Sequence, residues 1–128
     1  MGKKVLQVIE NAYRCTVEEQ DDPVVWITHA MKGAGADLAV LLRGNAVNYA
    51  VKGQDASGLS FGGRKQTQAA QIDKEIAKLV EKGVDVYVVE DDAGARGLER
   101  SDFVDGLKTV SRSGVPKLFE TYDQVWHW

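Results

Sequence analysis

Three short apolar runs constrain this chain more than any other feature. Val5 to Ile9, Leu38 to Leu42 and Val84 to Val89 are almost uninterrupted by polar residues. A strand with one wet face alternates apolar and polar residues. A strand covered on both faces does not, so these runs read as buried strands of a parallel sheet.

Helical patterns lie between the runs. Asp22-Pro23 reads as a helix start, with Val24, Ile27 and Met31 at helical spacing and Gly33 as the stop. Arg43-Gly44-Asn45 makes a turn in which Asn45 caps a short helix from Ala46 to Val51. Gly53 to Gly63 reads as a long loop. The clearest helix runs from Gln66 to Lys82, with Ala69, Ile72, Ile76, Leu79 and Val80 on one face and Gly83 as the stop. After a polar loop, Glu90 to Gly97, a helix is expected from Arg100 to Val110, with Phe103, Leu107 and Val110 inward. Pro116 opens one more helical turn through Phe119, and Val125 to Trp128 closes the chain as a strand. Alternating strands and helices give βαβ units, hence a mostly parallel sheet with helices on both faces. A length of 128 residues suits one domain, 1–128.

Composition excludes several functions. Sixteen basic against nineteen acidic residues leave a net charge of −3, and the basic residues are scattered, so no nucleic-acid footprint is expected. A single cysteine cannot form an intramolecular disulfide and fits a reducing compartment. The opening MGKKVLQVIE is too poor in apolar residues for a signal peptide, and no apolar run approaches the ~20 residues of a membrane span. The expected location is cytoplasmic, with no membrane partner.

Ligands of open parallel sheets bind outside the carboxyl ends of the strands. Glu10 to Cys15, Arg43 to Asn45 and Glu90 to Arg96 follow the three runs and should converge at one edge, where helix N-termini offer free N–H groups to an anion. Cys15 is the only route to covalent chemistry. Arg14 beside it, with Arg43 or Arg96 approaching in space, favours a thiolate, whereas Glu18, Glu19, Asp21 and Asp22 oppose one. The alternative is a thiol packed as a small apolar residue. Asp91 and Asp92 suit an acid/base pair or a divalent metal, but acids capping the next turn are favoured over both. His29 and His127 lack partners at metal-ligand spacing, so neither a metal nor a cofactor is expected. Gly33 to Ala36 follows a helix and precedes a strand, the reverse of a dinucleotide fingerprint, and Gly62-Gly63-Arg64 reads as a turn rather than a phosphate cradle. Trp126 and Trp128 share one strand face, with His127 opposite. They either close the domain's own core or anchor a subunit interface.

Leu41 to Gln54, Gly83 to Val89 with Ala95 to Leu98, and Asp123 to Trp128 together resemble the DsrE-like family across nearly the whole chain. The resemblance implies a three-layer α/β/α fold around about five strands. It also implies self-association into a trimer or hexamer, possible contact with other sulfur-relay proteins, and a place in cytoplasmic sulfur metabolism. The best-understood members carry sulfur as a persulfide on a cysteine in the loop after the third strand. Here the matching stretch is Val89-Glu90-Asp91-Asp92-Ala93-Gly94, which has no cysteine. A carboxylate cannot hold sulfane sulfur, and three adjacent acids raise the pKa of any nearby thiol.

The leading expectation is therefore a non-catalytic homo-oligomeric subunit that binds a partner or small anionic ligand at an edge lined by Asn45, Asp91, Asp92 and Arg96. The alternative is a sulfur carrier that uses a relocated thiol, Cys15. A third is a structural or regulatory partner in a larger sulfur-metabolism complex.

Overall fold

The computed structural model describes residues 3–14 and 22–128. The three runs form β1 (Val5–Ile9), β2 (Leu38–Leu42) and β5 (Asp85–Val89). A two-residue-per-strand antiparallel hairpin, β3 (Ser60–Phe61) and β4 (Arg64–Lys65), intervenes. With β6 (Lys108–Val110) and β7 (Gln124–His127) the runs make one five-stranded sheet, ordered β6-β5-β2-β1-β7, every neighbouring pair parallel. All residues of β1 and β2 are buried, as their unbroken apolar character requires.

The two faces are covered unequally. Val5, Ile9, Val40, Leu42, Val86 and Val88 pack against α1 (Pro23–Gly33), a 3₁₀ helix (Gly44–Ala50), α2 (Ile72–Glu81) and α3 (Glu90–Gly94). Leu6, Val8, Ala39, Leu41 and Val89 pack against the six-residue α4 (Val115–Glu120) and Tyr122. Gln7, in the middle of β1, is fully buried but satisfied. Its amide donates to Thr28 Oγ1 at 3.3 Å, and its carbonyl accepts the Trp128 indole N–H at 2.8 Å.

Local chemistry explains the ends of the elements. Asp22 Oδ1 accepts the Val24 and Val25 amides at 2.7 and 3.3 Å, the cap expected of Asp before Pro at the first turn. Gly62 and Gly63, at φ 55° and 81°, form the hairpin turn, as two positive φ values in a two-residue loop demand.

Four expected elements differ. The helix expected from Gln66 begins at Ile72, because Gln66 N–H bonds to Leu59 O beside the hairpin instead. The loop expected over Gly53 to Gly63 contains the start of that hairpin. Glu90 to Gly94 is helical rather than a loop. The helix expected from Arg100 to Val110 is a 3₁₀ turn, Arg100–Asp102, followed by strand β6. Two features break it. Phe103 is extended and bridges to Val51, and Gly106 sits at φ 86°, where a Cβ would meet Val80 Cγ1 at 2.7 Å. Among the described residues, no helix is long and apolar enough to cross a membrane.

Candidate functional site

All five parallel strands run the same way, so their carboxyl ends meet at one edge. Glu10 ends β1, Arg43 ends β2 and the acids Glu90 to Asp92 end β5, as expected. Ser111 and Arg112 after β6 join them, as do His127 at the end of β7 and Trp128 after it.

Asp92 organises this edge. Its Oδ2 accepts the Gly44 amide at 2.8 Å, and its Oδ1 takes the Arg112 guanidinium at 2.6 Å. Partial burial pushes the Asp92 carboxyl up, but the Gly44 N–H and the Arg112 charge outweigh it and hold the group below the ordinary carboxylate range. The hydrogen bond that Arg112 donates to Asp92, and the Asp92 charge, in turn raise the Arg112 pKa. Asp91 Oδ1 accepts the Arg112 backbone amide at 2.7 Å. Both acids thus satisfy first amides of 3₁₀ helices, one at Gly44–Ala50 and one at Arg112–Gly114. The acids do cap, but not the next turn expected from sequence: they reach 3₁₀ helices that follow two other strands.

The expectation that Asn45 caps the helix after β2 is corrected. The capping position is Arg43, which makes no side-chain cap, and the first amide goes to Asp92. Asn45 Oδ1 instead accepts Arg96 Nη2 at 2.7 Å, while Arg96 Nη1 donates to Asp92 O at 3.0 Å. Asn45, Asp91, Asp92 and Arg96 are therefore brought together at the edge, as a hydrogen-bonded brace. Beside them, Glu10 pairs with Arg43 Nε at 3.4 Å and lies 3.4 Å from His127 Nε2.

A cleft of about 220 Å³ opens at this edge, lined by Arg43, Val89, Asp92, Arg112, Val115, Pro116 and Phe119. Of the four expected edge residues only Asp92 lines it. Arg112 was missed because its place at the edge depends on β6, whose three residues give too short a pattern to read. Phe119 and Pro116 were seen only as a helical turn.

Cys15 lies outside the described residues. Its flanks are held from one point. Tyr49 is fully buried, donates its hydroxyl to Asp22 Oδ2 at 2.5 Å and accepts the Arg14 amide at 3.3 Å. Burial, and then the Asp22 carboxylate, push the Tyr49 hydroxyl pKa well up, so it stays a donor. Tyr13 packs edge-on against Tyr49, with ring centroids 5.3 Å apart, and is itself at φ 57°.

Trp126 and Trp128 fall on the face of Gln7, with His127 opposite, as alternation requires. All four residues of β7 are exposed, and Trp126 and Trp128 keep 37% and 41% of their surface in solvent. His29 braces α1 to α2, with Nε2 2.9 Å from Glu75 O and Nδ1 accepting Lys82 Nζ at 2.9 Å. Among the described residues, no three His, Cys, Asp or Glu side chains cluster as metal ligands.

The chain matches the DsrE/DsrF-like family over residues 18–127. It belongs to that family. Two solved structures share the DsrE-like fold. The ychN protein from E. coli matches over all of both chains, with a TM-score of 0.73 at 18% identity. MTH1491 from Methanobacterium thermoautotrophicum, a protein of unknown function, covers 98% of this chain and 99% of its own, with a TM-score of 0.63 at 13% identity. No curated protein matches the sequence. In this DsrE-like chain, the helical turn after β5 carries Glu90, Asp91 and Asp92.

Proposed function

We propose that this chain is a single-domain, non-catalytic DsrE-like subunit of sulfur metabolism. In this reading it self-associates and binds a small anionic ligand or a partner at the carboxyl edge of its sheet. One observation carries the reading. The turn after β5, where the resemblance puts a sulfur-carrying thiol, holds carboxylates already committed to Gly44 and Arg112. A carboxylate spent on a helix cap and an ion pair has no covalent role to play. Membership of the family supports the sulfur-metabolism setting. The exposed tryptophans on edge strand β7 support self-association, since Trp is enriched where subunits meet.

Sulfur transfer through Cys15 is the second reading. It is favoured by Tyr49, which bonds both Arg14 and Asp22, the residues on either side of the segment that contains Cys15. Intact mass after incubation of the reduced protein with polysulfide separates the two. The non-catalytic reading expects no adduct. A gain of about 32 Da per sulfur, reversed by reductant and absent from Cys15→Ala, would establish persulfide chemistry instead.

A further inference from the structure

The cleft beneath α4 combines an apolar wall with unspent cationic donors. We infer that it binds a small carboxylate bearing an apolar body. The anionic head sits on Arg43 and Arg112, and the body lies on Val115, Pro116 and Phe119. This rests on the anion-edge reading above and deepens it to a ligand class.

Hydrogen-bond accounting selects the head. Arg43 Nε is ion-paired with Glu10 at 3.4 Å, and Arg112 spends one Nη on a hydrogen bond to Asp92. Their other guanidinium nitrogens meet no partner among the described residues. Asp92 is the one side-chain acceptor in the lining, and both of its oxygens are taken, by Gly44 and by Arg112. The lining side chains therefore offer free donors, while their one acceptor is already engaged through both oxygens. A ligand that brings acceptors satisfies those donors. A carboxylate matches the planar fork of a guanidinium better than a neutral oxygen does. Both arginines are also held by ion pairs, Arg43 by Glu10 outside the lining and Arg112 by Asp92 within it, so less ordering is needed on binding.

The wall and the size select the body. Four of the seven lining residues are apolar, and Val89 and Val115 are 1% and 7% exposed. A bare inorganic anion leaves that wall against water, whereas a neutral apolar ligand leaves the donors unpaired. The volume of about 220 Å³ corresponds to roughly seven waters of liquid and lies below the usual ligand-pocket range. The body is therefore short.

Calorimetric titration of the full chain with sodium hexanoate tests this, with acetate and hexan-1-ol as comparisons. Saturable hexanoate binding is expected, with each comparison at least about tenfold weaker. Arg43→Gln should weaken hexanoate at least about tenfold. Arg112 braces Asp92, so Pro116→Asp is the second variant. Pro116 is exposed in the first turn of α4, where an acid suits the helix dipole, and a carboxylate there should abolish binding. Hexan-1-ol matching hexanoate overturns the head assignment, and unweakened binding by both variants overturns the location. Acetate matching hexanoate overturns the apolar body but leaves the anion edge standing. Failure of both carboxylates overturns the inference, and thiosulfate added to the same protein then decides the anion-edge reading separately, since it carries the charge without the carboxylate or the apolar body.

Discussion

The Tyr49 hydroxyl lies 2.5 Å from Asp22 Oδ2, and this contact ties the cap of α1 to the 3₁₀ helix after β2. Asp22 is fully buried and already accepts two helix amides through its other oxygen. Tyr49→Phe leaves that carboxylate oxygen and the Arg14 amide without their partner. A loss of about 1–3 kcal/mol in chemical denaturation is expected, with the fold retained.

Asp92→Ala removes the acceptor for the Gly44 amide and the partner of Arg112. The cost expected at neutral pH is about 1–2 kcal/mol. The folded-state pKa of Asp92 is depressed, so its contribution is present above the ordinary carboxylate range. It is lost as the pH falls through the lowered folded value. The stability gap between parent and Asp92→Ala should therefore narrow on acidification below about pH 4, the ordinary Asp range. Denaturant titrations at neutral and acidic pH measure it.

Gly106 is at φ 86° between the 3₁₀ turn and β6, with Val80 Cγ1 2.7 Å from the position of a Cβ. Gly106→Ala strains the backbone and displaces Val80. A loss of about 1–3 kcal/mol is expected by thermal or chemical unfolding. A neutral outcome would show that the β5–β6 connection is free to adopt another path.

The exposed face of β7 predicts a solution mass above one chain. Light scattering should give a multiple of 14.0 kDa. Trp126→Glu should lower it, because the exposed Trp126 side chain makes no hydrogen bond among the described residues and the substitution adds charge to an edge strand. A parent mass of 14.0 kDa would remove self-association from the proposal.

Much of the fold was legible because its signals are local. The runs Val5 to Ile9, Leu38 to Leu42 and Val84 to Val89 carry their burial in their composition, and Asp22-Pro23 carries its cap chemistry in two adjacent residues. Strand β6 was not legible. Phe103, Leu107 and Val110 fall at helical spacing, and the three-residue Lys108-Thr109-Val110 cannot outweigh that pattern. The convergence of Asn45, Asp91, Asp92 and Arg96 was legible, since parallel strands bring the segments after their carboxyl ends to one edge. Its detailed wiring was not. Asp92 is 48 residues from Gly44 and 20 from Arg112, and only tertiary structure joins partners so far apart.

The central claim is that the carboxyl edge presents Arg43 and Arg112 to an anion. Its most direct test is a titration of isotopically labelled protein with thiosulfate, following backbone and guanidinium NMR signals. Saturable shifts confined to Arg43, Gly44, Arg112 and their neighbours are predicted, shrinking as salt screens the charges. Shifts that are absent, or that centre on a different part of the sheet, would contradict it.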